Sequence, residues 1–426
     1  MTFIKKLPKK YHPRLFEIMS IHIDNYLEIK KNGLTKELLD EFINNIKESG
    51  PVGIKMVQWA ACNSNYLNGF LNNINNINLD GLKIVHDNCE QQDVDDIIDR
   101  IKEDYDDFDE SQFNKEPLGI GSIAQVHKYG SNIIKVRHED VEDIIEEDLN
   151  IFKEIVKLGR DDNLEDFFAV DYFKIVNMID INVLVKELKE QVDLTKEASN
   201  IEKVAEQDLG NKVKIPNVIF STENILIEEF IKGVNINKIT EKDKIIKYKI
   251  ETLVIFLKMI NSGYVHADLH EGNILYDEEE IGLIDFGIIK ILKDSEKENL
   301  KKLLNIVLEF FSNDTSDIMD PIEFSQILML ALCPEMTEKD AKLLTQRVAI
   351  SLGLKGQKKL DKKDLPKIID LVHSYLLKKG FLINDNMAYC LLTFLLIEGN
   401  VSEKYEVDLH LLLIDHLKKE NLLDLI

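Results

Sequence analysis

Two short segments of the chain hold residue types at the spacing that phosphoryl transfer requires. The first reads His266-Ala267-Asp268-Leu269-His270-Glu271-Gly272-Asn273, and the second, Asp285-Phe286-Gly287, follows it. Phosphoryl transfer needs a carboxylate beside the attacking hydroxyl and metal ligands that bridge the phosphates. We assign the first role to Asp268, and we expect Asn273 and Asp285 to hold Mg²⁺. The order H-x-D-x4-N-x11-D-F-G is very close to that of the catalytic and metal-binding loops of protein kinases, so these segments predict the use of ATP with Mg²⁺.

We expect His266 to brace the loop backbone and His270 to be structural, because neither has the spacing of a metal ligand pair.

A glycine-containing loop lies upstream, 16 residues before a lysine. A pair of glycines lets backbone amides approach phosphate oxygens with no side chain in the way. The loop fits the kinase pattern G-x-G-x-x-G-x-V, except that Ala124 stands at the third glycine. Taken alone, the loop is equally typical of an ordinary turn. The lysine alone is equally typical of a side chain that extends from a sheet edge into water. Together they predict binding of nucleotide phosphates by Gly119, Ile120, Gly121, Ser122, Val126 and Lys135.

The surrounding elements predict an α+β fold in which a small β-rich part is flanked by helical parts. Apolar residues at helical spacing predict helices through 14–112. That range includes an acidic segment in which Ile97, Ile98 and Ile101 indicate an amphipathic helix rather than a calcium loop. The strands are expected to be non-parallel, unlike those of a doubly wound sheet.

Alternating apolar residues bounded by turn residues predict short strands. These strands cover 123–129, 133–137, 217–220, 225–230, 274–276 and 282–284. One long helix is expected over 184–208. Helices are expected again from about residue 240, interrupted only by a compact loop region between Gly263 and Gly287.

The motifs resemble those of the UbiB family of atypical kinases over about residues 50 to 400. The segment PLGIGSIAQVH, from Pro117 to His127, is similar to the family's alanine-rich loop, and HADLHEGNIL resembles its H-A-D-P-H-P-G-N catalytic loop. Two further family motifs, E-x-D-x3-E-A-x-N and K-x-G-Q, are matched by Asp193, Glu197 and Asn200, and by Lys55 and Gln58.

The resemblance implies a bilobal protein-kinase-like fold with an N-terminal helical extension. The extension, 1–115, would carry the motif of Lys55 and Gln58, which in the family packs over the active site. An N-lobe at 116–232 would hold the nucleotide loop, the lysine and helix αC, and a helical C-lobe at 233–426 would hold the catalytic and metal-binding loops.

The chain departs from the family pattern at three places. Gly119, Ile120 and Gly121 replace alanines of the nucleotide loop, which moves that loop toward the one of a conventional kinase; we expect it to hold ATP accordingly. Val57 replaces the glycine of K-x-G-Q. Gln191 stands where the first glutamate of E-x-D belongs.

A lysine that binds phosphate needs a carboxylate on a helix to hold it in place. Glu197 is the expected partner of Lys135, and Glu190 is the alternative. The strand at 225–230 should lead into the hinge between the lobes. Backbone groups around Glu229 and Ile231 are expected to read the edge of the adenine ring.

Charge and composition exclude several classes of function. The chain has 53 Lys and Arg against 77 Asp and Glu, a net charge of −24, which argues against non-specific nucleic-acid binding. A basic cluster near the N-terminus leaves peripheral membrane contact open, although a solvated arm is expected there; it consists of Lys5, Lys6, Lys9, Lys10 and Arg14.

The four scattered cysteines predict no zinc site and no disulfide framework. The longest apolar stretch, Ala388 to Ile397, is shorter than the ~20 residues of a transmembrane helix, so we expect a buried helix there and a cytoplasmic location.

Three functions remain open on the sequence alone. The first is an ATP- and Mg²⁺-dependent kinase or ATPase whose acceptor is an unknown protein, lipid or small molecule; the resemblance adds a link to quinone or isoprenoid-lipid metabolism. The second is a nucleotide-binding pseudokinase scaffold with a cleft occluded by the N-terminal helices. The third is a small-molecule kinase of the aminoglycoside or choline kinase type, against which the K-x-G-Q and Q-V-H segments argue.

Overall fold

The structure, a computed structural model, describes most of the chain. It covers residues 8–33, 35–54, 91–162, 181–312, 321–333, 336–351, 384–398 and 401–426, with 372, 376 and 381 as single positions. The chain forms two compact units, which are Met1–Ser199 with Asn217–Phe230 (unit 1) and Asn200–Pro216 with Ile231–Ile426 (unit 2). The three-part division expected from the sequence stays a prediction.

The described residues form helices and short strands in an α+β arrangement. The helices are α1 (His12–Asn32), α2 (Lys36–Glu48), α3 (Val94–Asp104), α4 (Val141–Asp162), α5 (Ile181–Val192), α6 (Leu194–Ala205), α7 (Lys242–Ser262), α8 (Asp294–Ser312), α9 (Pro321–Leu332), α10 (Glu338–Ser351), α11 (Asp385–Glu398), α12 (Val401–Tyr405) and α13 (Leu409–Lys419). The strands are β1 (Phe113–Ile120), β2 (Ala124–Tyr129), β3 (Asn132–Arg137), β4 (Val213–Lys214), β5 (Val218–Ser221), β6 (Ile225–Glu229), β7 (Tyr264–His266), β8 (Ile274–Asp277), β9 (Glu280–Leu283) and β10 (Ile289–Ile291).

Unit 1 is built on a five-stranded antiparallel sheet of order β1-β2-β3-β6-β5. Helix α3 packs its buried isoleucines against the sheet, together with Phe113, Tyr129, Ile134, Val136, Ile225 and Ile227. Side chains alternate between the faces of a strand. Because Ile134 and Val136 of β3 are fully buried in this cluster, Lys135 between them faces the other side of the sheet.

A second apolar cluster of unit 1 anchors the helical turn at 51–54, which directly precedes Lys55. Val52 packs there with residues of α4 and α5, and Ile123 of the nucleotide loop packs against the same cluster. Lys55 and Gln58 themselves lie outside the described residues. The N-terminal segment is therefore joined to the core of unit 1 at the edge of the nucleotide loop.

The prediction of a solvated N-terminal arm is wrong for Arg14. Its guanidinium donates to both carboxylate oxygens of Asp148 on α4, at 2.9 and 3.1 Å, and to the carbonyl of Ser49 at 2.8 Å. Burial raises the pKa of Asp148, and the bond from Arg14 works against that rise. Arg14 thus belongs to a largely buried ion pair that ties α1 to α4, a contact that local charge patterning could not reveal.

The long helix expected over 184–208 is two helices, α5 and α6. Asp193 separates them, and its side chain accepts hydrogen bonds from the N–H and the hydroxyl of Thr195 at 3.0 and 2.5 Å. Short aspartate side chains offer such local bonds in competition with a continuous helix, and here they start a new one.

Unit 2 is built around α7, whose apolar residues are buried on most sides. Strands β8 and β9 form an antiparallel hairpin, β4 pairs with β9 in parallel, and β7 pairs with β10. The expectation of non-parallel strands is therefore wrong for β4 and β9. The predicted hairpin at 274–276 and 282–284 is confirmed within two residues of its bounds. The region between Gly263 and Gly287 was expected as a loop and also contains β7.

The expectation that the chain is helical beyond Gly287 is wrong at β10, Ile289–Ile291, which pairs with β7. The remaining predicted strands are confirmed. The strand pairs 123–129 with 133–137 and 217–220 with 225–230 correspond to β2 with β3 and β5 with β6. Strand β1 was missed because only Phe113 of its eight residues is buried, so the edge strand lacks an apolar alternation. The apolar stretch at 388–397 lies in α11, and in the described residues no helix is long and apolar enough to cross a membrane.

Candidate active site

The lysine of β3 is held by a carboxylate within unit 1. The Lys135 ammonium donates to both oxygens of Glu197 on α6, at 2.9 and 2.8 Å. The two side chains are 15 % and 5 % exposed. Of the two candidate partners it is Glu197 that binds the lysine, whereas Glu190 lies 3.7 Å from Lys186 on α5. The pair fixes the position of the lysine side chain on β3, and lysine–glutamate pairs of this kind serve in kinases to orient phosphates.

The nucleotide loop comprises the end of β1, where Gly119 pairs with Val126, and the turn into β2; the Cβ positions of its glycines meet little of the protein. A Cβ added at Gly119 would have nothing within 4 Å, and one at Gly121 would meet only the carbonyl of Ala124 at 3.5 Å. The N–H of Gly121 donates to that same carbonyl at 2.9 Å, which closes a turn. The surrounding protein would therefore accept alanines here. What the glycines change is the freedom of the loop and the room for a ligand.

The Q-V-H motif forms a buried hydrogen-bonded chain beneath the loop. The N–H of Gln92 donates to Gln125 Oε1 at 3.2 Å, Gln125 Nε2 donates to His127 Nε2 at 2.8 Å, and His127 Nδ1 donates to the carbonyl of Asn114 at 2.8 Å. Burial lowers the pKa of His127, which favours the neutral ring that this chain requires. Both motif residues are fully buried, so the motif's part here is to hold β1 on β2.

The catalytic loop of unit 2 begins at the end of β7 with a buried histidine. The Nε2 of His266 donates to the carbonyl of Ile284 at 3.2 Å, and its Nδ1 accepts from the N–H of Asp268 at 3.2 Å. Its pKa is lowered by burial, so the ring stays neutral and can accept at Nδ1. The expected bracing role of His266 is confirmed. His270 is structural as expected: its Nδ1 accepts from the N–H of Gly272 at 3.0 Å.

Asn273 links the catalytic loop to the strand that leads into Asp285. Its Nδ2 donates to the carbonyl of Asp268 at 2.9 Å, and its own carbonyl accepts from the N–H of Ile284 at 3.1 Å. Because the amide nitrogen of the side chain is used in this way, its Oδ1 is the atom suited to a cation. One side-chain bond and one backbone bond thus connect the three segments that hold Asp268, Asn273 and Asp285.

Asp285 has an unusual backbone conformation. Its φ is 59°, in the left-handed region that most residues with a side chain avoid. Asn200 of α6 donates to the carbonyl of the next residue, Phe286, at 2.9 Å, and Phe286 is fully buried. Strained backbone of this kind clusters at functional sites, where surrounding contacts hold it. Asn200, one of the family-matched residues, supplies such a contact.

A buried lysine, absent from the sequence predictions, also holds the catalytic loop. The Lys249 ammonium donates to Glu271 Oε1 at 2.9 Å; the two side chains are 3 % and 50 % exposed. Asn235 donates to the carbonyls of Glu271 and Gly272 at 3.0 and 3.2 Å. A lone lysine inside a predicted helix gives no sign of its role in the sequence. The one available signal was Glu271, which stands where the family motif has a proline and whose carboxylate could have prompted a search for a basic partner.

The stretch expected to read adenine crosses from unit 1 to unit 2. In unit 1, the N–H of Glu229 at the end of β6 donates to the carbonyl of Asn217 at 2.9 Å. In unit 2, Ile231 is buried and its side chain packs against the backbone of Gly282. A Cβ added at Gly282 would overlap Cγ2 of Ile231. The Glu229 N–H is therefore engaged within its own unit, and adenine recognition by the other backbone groups stays a prediction.

The residues present fit Mg²⁺ only together with further oxygen ligands. Among the described residues no group of three or more His, Cys, Asp or Glu side chains is arranged to hold a metal ion. Mg²⁺ in phosphoryl-transfer sites is held by one or two protein oxygens, with substrate phosphates and waters completing its octahedron. Asn273 and Asp285 supply the protein's share of such a set.

Comparison with known proteins identifies the family. A model described as the ABC1 atypical kinase-like domain matches residues 84–321, more than half of the chain. The chloroplastic protein ACTIVITY OF BC1 COMPLEX KINASE 8 of Arabidopsis thaliana is 28% identical over 208 residues, which cover 44% of this chain and 26% of that protein. The probable protein kinase UbiB of Vibrio atlanticus (strain LGP32) is 28% identical over 225 residues, 48% of this chain and 39% of that protein. The matched part is therefore less than half the length of these curated relatives.

Among solved structures, Rv3197 of Mycobacterium tuberculosis in complex with erythromycin shares a TM-score of 0.38 and 17% sequence identity with the chain, over 74% of this chain and 83% of that one. The resemblance to UbiB-type kinases predicted from the motifs is confirmed, and the α+β fold is protein-kinase-like.

Proposed function

We propose a function from one premise: the chain belongs to the ABC1 atypical kinase-like family. It uses ATP with Mg²⁺ either to phosphorylate an acceptor or to hydrolyse the nucleotide. The ion pair of Lys135 with Glu197 carries this proposal, since both oxygens of the glutamate engage the ammonium. Removing two charges from water costs free energy, and phosphate orientation is the role that such a lysine–glutamate pair serves in kinases.

Each side chain of the site has a chemical role in the proposal. Lys135 binds phosphate oxygens of the nucleotide and neutralises their charge. Asp285 and Asn273 Oδ1 hold Mg²⁺, which neutralises charge on the β- and γ-phosphates when bound. Asp268 accepts the proton of the acceptor hydroxyl, or orients a water if the reaction is hydrolysis. Asp268 can do this because the bond from its N–H to His266 and that from Asn273 to its carbonyl fix its backbone.

Nucleotide binding is tested by thermal unfolding with ATP and ADP, with and without Mg²⁺. A ligand that binds only the folded chain adds about 2.7 kcal/mol at roughly 100 times its Kd, which corresponds to a rise of a few degrees in Tm. We expect a Mg²⁺-dependent rise that Asp285→Asn abolishes. The matched control is Asp277→Asn, which changes an exposed aspartate at the end of β8 and should leave the rise intact. The absence of any rise with wild type would overturn the proposal.

Catalysis is tested by ADP production. Asp268→Asn keeps the side chain's size and removes its charge, so turnover should fall by ~10²-fold or more if the carboxylate acts as a base. Nucleotide binding by that variant should stay close to that of wild type. If wild type binds ATP but forms ADP no faster than Asp268→Asn, the chain is a nucleotide-binding scaffold rather than an enzyme.

The acceptor and the location are proposed from the family. An acceptor in quinone or isoprenoid-lipid metabolism fits a cytoplasmic protein that contacts a membrane peripherally. The net charge of −24 supports the exclusion of nucleic acid as a partner. The test is ADP production with a prenylated phenol in neutral vesicles against vesicles alone, with co-sedimentation measured in parallel. Equal rates and no co-sedimentation would remove the lipid link.

A further inference from the structure

One histidine holds the nucleotide loop of unit 1 by two bonds. His138 is the residue after β3, three positions beyond Lys135. Its ring Nε2 donates to the carbonyl of Gly121 at 2.9 Å. Its backbone N–H donates to the carbonyl of Ile123 at 2.8 Å. The same residue therefore binds the loop on both sides of Ser122.

The ring bond fixes the direction of a loop amide. A trans peptide is planar, and its C=O and N–H point in opposite directions. When His138 holds the carbonyl of Gly121, the N–H of Ser122 is turned away from the histidine. Backbone N–H groups are what such loops offer to phosphate oxygens.

The loop's glycine positions supply no packing restraint, so the loop depends on its backbone bonds and on contacts from outside. Packing around them is open, as the room for a Cβ at Gly119 and Gly121 demonstrates. Glycine also loses more conformational freedom than any other residue when it is ordered. The side chain of Ile123 is anchored in the apolar cluster of α4 and α5, so His138 completes the restraint on the glycine side.

The chemistry of the ring suits this task. The carbonyl of Gly121 can only accept, so Nε2 carries the proton. Burial lowers the pKa of His138, and the nearby charge of Arg100 lowers it further. Within the described part of the chain, the buried Nδ1 has no hydrogen-bond partner, and a proton there would therefore be unsatisfied.

We propose that His138 is a positioning residue for nucleotide phosphates: its ring holds the Gly121 carbonyl and thereby aims the Ser122 N–H at the phosphates. The proposal rests on the nucleotide site proposed above. It gives the loop of this chain a built-in order that its glycines alone would not provide.

The test compares two amides at one position. In His138→Gln the side-chain NH₂ takes approximately the place of Nε2, and in His138→Asn that of Nδ1, which does not reach Gly121. Isothermal titration with ATP–Mg²⁺ should give wild-type affinity within about threefold for Gln. For Asn it should give five- to tenfold weaker affinity, the loss of roughly one hydrogen bond. Without nucleotide, both variants should still unfold in one cooperative urea transition with the m-value of wild type, which establishes that each is folded. If the Asn variant does not fold, Met replaces it, since Met matches Gln in length and has no donor.

Hydrogen exchange without nucleotide separates this inference from the proposed function. Peptides covering 119–124 should exchange faster in His138→Asn than in wild type, and His138→Gln should restore the protection. Equal affinities or equal exchange for Gln and Asn would overturn the positioning role. If wild type itself binds no ATP, the proposed function fails, and the exchange result alone then decides whether His138 orders the loop.

Discussion

Replacement of Glu271 by proline tests how the catalytic loop is held. The change restores the residue of the family motif H-A-D-P-H-P-G-N. The backbone accepts it: Glu271 is the first residue of a 3₁₀ turn, and His270 before it is extended, with φ −80° and ψ 169°. What the proline removes is the carboxylate that binds the buried ammonium of Lys249 at 2.9 Å.

The expected cost follows from burial. A buried charged donor that loses its acceptor costs about 1–3 kcal/mol. Lys249 is only 3 % exposed, which favours the upper half of that range. The ~3–5 kcal/mol known for fully buried pairs is not reached, because the Glu271 side chain is 50 % exposed and water screens part of the interaction. Lys249→Met with Glu271→Pro removes both charges, so the double variant should lie within ~1 kcal/mol of wild type.

The assay is urea unfolding followed by circular dichroism, with the m-value checked for constancy. The control is Lys247→Met. It removes one ion pair from the same helix at the same 2.9 Å, with Glu279, but both partners are more than 40 % exposed (42 % and 63 %), and Glu279 keeps its second pair with Lys212; the cost should stay below about 1 kcal/mol. The reasoning is refuted if Glu271→Pro is as stable as wild type, or if Lys249→Met fails to rescue it.

Three further predictions concern the site and its support. Glu197→Gln should weaken ATP–Mg²⁺ binding at least tenfold in a calorimetric titration because Lys135 loses a charged partner, whereas Glu190→Gln should leave affinity unchanged; equal effects would contradict the assignment. Asp285→Ala should lower the free energy of unfolding by about 1 kcal/mol since φ is 59°, while Asp285→Gly should not, and both should lose Mg²⁺-dependent nucleotide binding. His127 is buried neutral with its pKa below 6.5, so the unfolded chain takes up a proton first as pH falls. The free energy of unfolding should therefore decrease below about pH 6.5, at up to ~1.4 kcal/mol per pH unit, and less steeply in His127→Asn; a slope unchanged by that substitution would contradict it.

Motif order on its own predicted the chemical core. The spacing of Asp268, Asn273 and Asp285 matches kinase loops, and their roles depend on residue type and local turns, which short segments encode. The same holds for the hairpins on each side of Lys135 and at β8 and β9, since apolar alternation and turn residues are local features. The family resemblance pointed to Glu197 and Asn200. The structure places Glu197 on Lys135, as expected, and Asn200 on the carbonyl of Phe286, next to Asp285.

Long-range contacts were beyond the sequence. The bond from Arg14 to Asp148 joins residues 134 positions apart, and nothing near Arg14 distinguishes it from the lysines beside it. Lys249 and His138 read as an ordinary helix lysine and an ordinary loop histidine. Their roles depend on which carbonyl or carboxylate the fold brings within 3 Å.

The sequence by itself determined the family, the candidate site residues and most of the local elements of this protein, because residue order and short-range periodicity are sufficient to specify them. The tertiary structure alone decided which polar groups meet where no motif marks them: Asp148 at Arg14, Glu271 at Lys249, and the backbone carbonyl of Gly121 at His138. Such pairings are set by the burial of apolar surface throughout each unit, which fixes where elements lie before any single hydrogen bond can select its partner.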